Sequence, residues 1–238
     1  MEKPFINSLG MKFVPVPITG GLTGRQRVLF SVWKTRVQDY DVFAVLTKRP
    51  WPRPNFPQGS AHPAVNVSWN DAKAFCVWLT NKQRAAGELG VNQEYRLPSD
   101  HEWSCAVGIG DREDPKVSPK DKDRMTIANV YPWGSVWPPP NGVGNYHPSL
   151  NVDSYEFTSP VGSFYSNGLG IYDLGGNVWD WCEDLIEPLS TMHVLRGATY
   201  RLSDHFDLLS SNRGYDTPGD IDEYIGFRCV LGDCPLPF

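Results

Sequence analysis

Gly170-Ile171-Tyr172-Asp173-Leu174-Gly175-Gly176-Asn177-Val178-Trp179-Asp180-Trp181 is the segment from which the architecture of this 238-residue chain is read. Two carboxylates, Asp173 and Asp180, bracket a Gly-Gly-Asn turn that runs into paired tryptophans. Gly-Asn steps mark turns, and glycine lets a backbone carbonyl approach a ligand closely. Calcium takes about six to eight hard oxygens, mixing carboxylates with loop carbonyls, so a turn of this composition is a candidate cation loop. The plainer alternative is that both aspartates cap their own turns.

On either side of this segment, regular periodicity is uneven. From Gly108 onward it fades into Pro132-Trp133-Gly134, the prolines at 138–140 and a second Gly-Asn pair at 144–145, all turn signals. The charged stretch from Asp111 to Asp123 reads as an exposed insertion. So long an irregular stretch is disfavoured in a compact domain unless something besides an apolar core orders it, and bound cations would do so.

The first half is more regular. Val28, Phe30 and Val32 alternate as a strand, with Met11 to Val16 as its partner. Thr35 and Gln38 read as a capping box opening a first helix with Val37, Tyr40 and Ala44 on its apolar stripe. Pro50, Pro52, Pro54 and Pro57 then enforce an extended segment. Ser68 and Asp71 cap a second helix, with Ala72, Phe75, Cys76 and Leu79 on one face. Ser99 and Glu102 cap a shorter third helix. Val194 to Gly197 and Gly226 to Leu231 read as closing strands. No repeat or linker interrupts the chain, so a single domain over 1–238 is expected.

Bulk composition narrows the function classes. Apolar residues at 40% and charged ones at 21% describe a globular protein and not a disordered one. A net charge of −5 argues against nucleic acid or an anionic membrane as partner, because both reward clustered Lys and Arg. No apolar run approaches the ~20 residues that span a bilayer. Met1 to Phe5 contains no apolar leader, so the cytoplasm is the default compartment. The five cysteines read mainly as small buried hydrophobes.

Six segments in register carry a family resemblance: Pro63-Ala64-Val65-Asn66-Val67-Ser68-Trp69, Tyr95 to Trp103, Pro132-Trp133-Gly134, Gly170 to Trp181, Leu195-Arg196-Gly197 and Gly226-Phe227-Arg228-Cys229. Together they resemble the formylglycine-generating enzyme, or sulfatase-modifying-factor, domain from about Leu9 to Leu231. The resemblance implies an α+β, C-type-lectin-like fold with a small twisted antiparallel sheet, two main helices and long ordered loops. It also implies two structural calcium sites. The first would use the side chains of Asn145 and Asp153 with the carbonyls of Tyr146 and Tyr155. The second would use Asp173 and Asp180 with the carbonyls of Gly176 and Val178.

The family's oxidases bind copper through two cysteines in the segment following Arg196-Gly197-Ala198-Thr199-Tyr200. The matching positions here are Leu202 and Asp207, and no cysteine lies between Cys182 and Cys229. Soft thiolates suit cuprous copper, which hydroxyls and carboxylates do not replace, so no copper is expected and oxidase activity is argued against. Cys229 and Cys234 share the spacing of the missing pair but lie past the final strand. Cys76 and Cys229 match positions that are bridged in some relatives, and a reducing cytosol would keep them as thiols.

Ala198 to Ile225, where the family builds its site, is rich in contact-making groups. The expected binding residues are Tyr200, Arg201, Ser203, Asp204, His205, Phe206, Asp207, Tyr215, Asp216, Asp222 and Tyr224. Aromatic area with short adaptable polar groups is the composition of a binding surface. It also resembles the variable proteins of diversity-generating retroelements, which randomise this segment of the same fold. The leading expectation is a non-catalytic module that binds a protein or glycan. The alternatives are an enzyme or accessory factor using a different metal, and a regulatory domain of a kinase-associated system.

Overall fold

The computed structural model describes residues 4–233. Five strands make the first sheet: β1 (Phe5–Ile6), β2 (Lys12–Pro17), β3 (Arg27–Ser31), β4 (Gln93–Arg96) and β9 (Val230–Asp233). Their order is β1-β2-β3-β9-β4, antiparallel throughout. Four more make the second: β5 (Trp179–Leu185), β6 (His193–Arg196), β7 (Gly214–Asp216) and β8 (Ile225–Gly226). Here the order is β7-β6-β5-β8, with β5 and β8 parallel. The helices are α1 (Val37–Thr47), α2 (Trp69–Ala85), α3 (Asp100–Val107) and α4 (Pro119–Arg124). This is the expected α+β, C-type-lectin-like architecture, elaborated by a second sheet and a fourth helix.

Local signals set the helix starts where the backbone is free to use them. Ser68 Oγ accepts from Asp71 N–H at 3.1 Å while Asp71 accepts from Ser68 N–H, and Ser99 and Glu102 repeat the exchange for α3. At α1 the box sits one residue later than the sequence implies. Arg36 is the cap and Asp39 closes it, because Thr35 N–H is already bonded to the Phe227 carbonyl.

Two other expectations change for tertiary reasons. Gly226 to Leu231 is not one strand: Gly226 pairs with Asp180 in the second sheet, and Val230 pairs with Phe30 and Arg96 in the first. The Asp111–Asp123 stretch is only partly an exposed insertion. Ser118 caps α4 there, and Lys122 is buried, its ammonium 3.1 Å from Asp100.

Apolar side chains fill the space between sheets and helices. Tyr40 stacks on Phe75 and Phe75 meets Phe227 edge-on, while Trp103 and Phe30 lie in a second cluster beside the first. Cys76 and Cys229 are free thiols with sulfurs 3.7 Å apart in the core, and Cys105 and Cys182 are likewise free and buried. Cys234 lies outside the described residues. Among the described residues no helix is long and apolar enough to cross a membrane.

Asp100, at the start of α3, is the hub of a buried ion cluster. It takes both oxygens to Arg213, one oxygen to Arg196 and the other to Lys122. Burial disfavours its charge, but these three cations outweigh it and hold the carboxyl far below the usual range. Its own N–H donates to Asp184 Oδ2 at 2.6 Å. Burial, reinforced by the Asp100 charge, pushes the Asp184 carboxyl up to about 6.

A raised folded-state pKa means that the folded protein disfavours ionised Asp184 above pH ~6, whereas below pH ~4 the group is protonated in both states. Asp184→Asn keeps the acceptor oxygen and removes the charge. Melting curves should show D184N more stable than wild type at pH 8, with the advantage fading as the pH falls to 4. A constant difference across that range would exclude this coupling.

Candidate functional site

The two expected cation loops lie against each other. A Cβ added to Gly176 would stand 2.4 Å from the Asn145 carbonyl oxygen, and Asn177 N–H donates to that same oxygen. Only glycine permits such an approach at this positive φ. In the first loop, Asp153 accepts from Tyr146 N–H at 3.0 Å and from Tyr155 N–H at 2.8 Å, so its carboxylate clasps both residues whose carbonyls were expected to face an ion. Asn145 is wholly buried; its amide donates to the Phe157 carbonyl, and its Oδ1 has no hydrogen-bond partner.

In the second loop, Gly162 N–H donates to Asp173 Oδ2. Asp173 Oδ1 and Asp180 Oδ1 are buried acceptors without hydrogen-bond partners. Burial raises the Asp173 carboxyl in spite of that N–H and two nearby cations. Each orphaned oxygen, Asn145 Oδ1 in the first loop and the two carboxylate oxygens in the second, is a hard donor of the kind calcium takes, although among the described residues no three His, Cys, Asp or Glu side chains gather as a metal cluster.

Asp180 Oδ2 is already occupied by the protein's own cations. Arg228 Nε donates to it at 2.7 Å, Lys34 Nζ stands 2.9 Å away, and Trp103 Nε1 lies at 3.3 Å. Both members of the Lys34–Asp180 ion pair are wholly buried. Burial drives Lys34 down to about 8 against the pull of Asp180. Burial alone would raise Asp180, but Arg228 and Lys34 hold it below the ordinary carboxylate range. Sequence reasoning missed Lys34, which sits before a helix in no recognisable motif.

The 199–224 segment is fixed just before its start and again near its middle. Arg196 closes β6 and Arg213 precedes β7, and both guanidiniums grip Asp100. Arg196 also covers the Trp103 ring at 4.4 Å and donates to the Ser210 carbonyl. The expected contact residues then divide. Tyr200 is turned inward, 3% exposed, edge-on to Phe56 and Phe157, so it is a packing residue and not a surface one. Arg201 lies 4.8 Å over the Tyr224 ring, and Tyr224 is pushed up to about 12 by Asp222 and by burial. Asp216 sits with Asp220 nearby, while Tyr215 projects from edge strand β7, 54% exposed.

Ser203, Asp204, His205, Phe206 and Asp207 form a separate patch. The His205 ring lies tilted against Phe206, 3.8 Å between centroids, and 5.7 Å from Trp137. Partial burial, then the charge of Asp204, raises Asp207. Leu202 packs against the first core cluster. Trp137, with Tyr131 and Trp133 behind it, belongs to this patch; Pro132-Trp133-Gly134 reads in sequence as a turn and a family segment, and nothing local places Trp137 here.

Two curled sheets, with turn-built loops above them and buried charges pairing sheet to sheet, define a C-type-lectin-like scaffold that presents one irregular segment. The chain belongs to the sulfatase-modifying factor enzyme 1-like domain family, whose profile matches residues 8–232. It is 30% identical over 211 residues to the formylglycine-generating enzyme of Mus musculus, covering 78% of this chain and 50% of that protein. Similarity to the inactive C-alpha-formylglycine-generating enzyme 2 of Mus musculus is 31% over 179 residues, 71% of this chain and 48% of the relative. The serine/threonine-protein kinase Pkn1 of Chlamydia trachomatis is 28% identical over 192 residues, 73% of this chain and 25% of the kinase. The chain thus spans about half the length, or less, of these curated relatives.

Among solved structures, PvdO from Pseudomonas aeruginosa superposes with a TM-score of 0.71 at 20% identity, covering 98% of this chain and 100% of its own. Treponema denticola variable protein 1 superposes at 0.66 and 17% identity, with the same coverage. Both share the fold.

Lys34→Met removes one of the two cations on a fully buried carboxylate. Urea unfolding should show a loss of about 3 kcal/mol. An unchanged midpoint would mean that Arg228 alone neutralises Asp180.

Proposed function

We propose that this chain is a non-catalytic ligand-binding module whose contact surface is the solvent-facing part of residues 199–224. The observation that carries the reading is the anchoring of this segment on Asp100 just before its start by Arg196 and near its middle by Arg213, with Arg201 and Phe206 facing solvent between the two anchors and Tyr215 just beyond the second. The positions of the family's copper-binding cysteines hold Leu202 and Asp207, which cannot bind cuprous copper. A relative at 31% identity whose name marks it inactive is consistent with loss of catalysis on this scaffold. The ligand class is a protein or a glycan.

The test has two arms. Ligands captured from peptide libraries or glycan arrays should lose at least about tenfold in affinity, 1.4 kcal/mol, for the triple variant R201A/F206A/Y215A, with its melting temperature unchanged. Undiminished binding would move the surface elsewhere. Incubation with a cysteine-containing sulfatase peptide, copper and oxygen should give no formylglycine, and a clear yield would overturn the non-catalytic reading.

A second reading, a regulatory domain accompanying a kinase, is favoured by the Chlamydia relative. Diversification of the segment by a retroelement is favoured by the fold shared with the Treponema variable protein. A reverse-transcriptase gene beside this one, with a near-copy of its 3′ end, would support diversification, and its absence would count against it.

Structural calcium belongs to the same proposal. Asn145 and Asp153 with the carbonyls of Tyr146 and Tyr155 would hold one ion, and Asp173 and Asp180 with the carbonyls of Gly176 and Val178 a second. The ions would satisfy buried acceptors in loops whose apolar side chains already pack in the core. At a calcium concentration a hundredfold above Kd, the melting temperature should exceed that in chelator by about 5 °C or more, and N145A/D173N should lose the difference. Identical melts with calcium and with chelator would remove the ions from this account.

A further inference from the structure

Cys105 differs from the other described cysteines in what its sulfur touches. Cys76, Cys182 and Cys229 are at most 1% exposed, and burial pushes the Cys76 and Cys182 thiols up. Cys105 is 8% exposed and lies one helical turn after His101 on α3. Its Sγ stands 3.7 Å from His101 Nε2 and 3.6 Å from the Thr19 hydroxyl. The same His101 nitrogen lies 2.6 Å from the Thr19 carbonyl oxygen. A carbonyl only accepts, so that nitrogen carries a hydrogen, and the sulfur shares it. Two donors from segments far apart in sequence therefore converge on one thiol. Burial would raise the Cys105 thiol, but the hydrogen bonds from His101 and Thr19 outweigh it and bring it below its ordinary value. The bond to Cys105 in turn holds His101 above its ordinary value in spite of burial.

The enclosure of the sulfur is uneven. On one side Gly110 faces it closely: a Cβ there would stand 2.4 Å from Sγ, so the missing side chain is what admits the sulfur. On the other side the cover is a single exposed stretch, Thr19, Gly20 and Gly21. That stretch is pinned to α3 by the His101–Thr19 contact and by Thr23 Oγ1 donating to Glu102. A thiol under a thin cover, with hydrogen-bond donors at its side, is the setting in which the thiolate reacts, whereas one enclosed by apolar atoms stays inert. His101 Nδ1 is buried without a hydrogen-bond partner among the described residues, so no carboxylate locks the imidazole in one protonation state.

We propose that Cys105, paired with His101 and Thr19, is a modification site for hydroperoxides, which oxidise it to the sulfenic acid. The Cys105 thiolate attacks one peroxide oxygen, and an S–O bond forms as the O–O bond breaks. The sulfur gives up two electrons, and the leaving hydroxide takes the His101 proton and departs as water. The imidazole is left neutral. An oxidant of the size of hydrogen peroxide is required, because the residue is more than nine-tenths buried. The site is separate from the 199–224 surface and stands whether or not that surface binds a ligand.

Timed exposure of the full chain to hydrogen peroxide tests this, in a C234S background so that the tryptic peptide following Arg228 reports Cys229 alone. After quenching and unfolding, the remaining thiols are alkylated, and each cysteine is read by peptide mass spectrometry. Cys105 should lose its thiol at least about tenfold faster than Cys76, Cys182 or Cys229, with oxygen added at its sulfur. His101→Gln should slow that loss about tenfold, and Thr19→Val about threefold, while the other three cysteines react as before. Melting curves check that each variant is folded. Loss at Cys105 no faster than at the other three, loss without added oxygen, or a wild-type rate in folded H101Q would overturn the proposal. Should H101Q fail to fold, a wild-type rate in T19V, altered at an exposed position, would overturn it instead.

Discussion

Asp180 is the point on which both sheets depend. It lies in the middle of the second sheet, fully buried, with Arg228 and Lys34 on one of its oxygens. Arg228 belongs to the short crossing between β8 and β9, so one ion pair holds the chain where it leaves one sheet and enters the other. The same guanidinium donates to the carbonyls of Tyr172 and Asp173, which no strand uses. Carbonyls left over by the irregular segment are thus satisfied by a side chain, as buried polar groups must be. Uncompensated, any one of these charges would be too costly to bury.

Asp100 plays a parallel part at the other end of the second sheet. Its cations come from β6, from the segment before β7 and from α4, three stretches distant in sequence. The two carboxylates divide the work: one joins the sheets, and the other closes the frame on which the 199–224 segment is mounted. Between them Trp103 contacts both clusters, donating toward Asp180 and lying beneath Arg196. The irregular half of the molecule is therefore tied down by paired charge at its base, whatever ions its upper turns also hold.

What could be read from the sequence follows the range of the interactions. α2 and α3 were legible because Ser68 with Asp71, and Ser99 with Glu102, are complete within four residues. The start of α1 shifted by one because Thr35 N–H is taken by a carbonyl nearly two hundred residues away, which leaves Arg36, a residue that the local rule would not pick, as the cap with Asp39 accepting from its N–H. β5 carried no strand signal: Trp179 to Cys182 are buried on both faces, which erases the alternation that marks a half-buried strand. The closing segment read as one strand because nothing local says that Arg228 turns a corner.

The site was legible to a similar degree. The segment was found from its contact-rich composition, but the direction of each side chain was not. Tyr200 looked like its neighbours until Phe56 and Phe157 supplied walls for it. Trp137 and Tyr131 were passed over because a proline-flanked tryptophan reads as turn chemistry, and only the folded chain brings it to His205.

The clamp of Arg196 and Arg213 on one carboxylate has a consequence for how the molecule can change. The two arginines that set the geometry of the segment are buried, and they are helped by the core packing of Tyr200, Leu202, Leu208 and Leu209 between them. Substitutions at the solvent-facing positions of that interval, such as Arg201, Asp204 and Phe206, can therefore alter what is recognised while leaving the frame intact. Such an arrangement lets specificity drift, or be deliberately shuffled in a laboratory library, without each new variant having to solve the folding problem again.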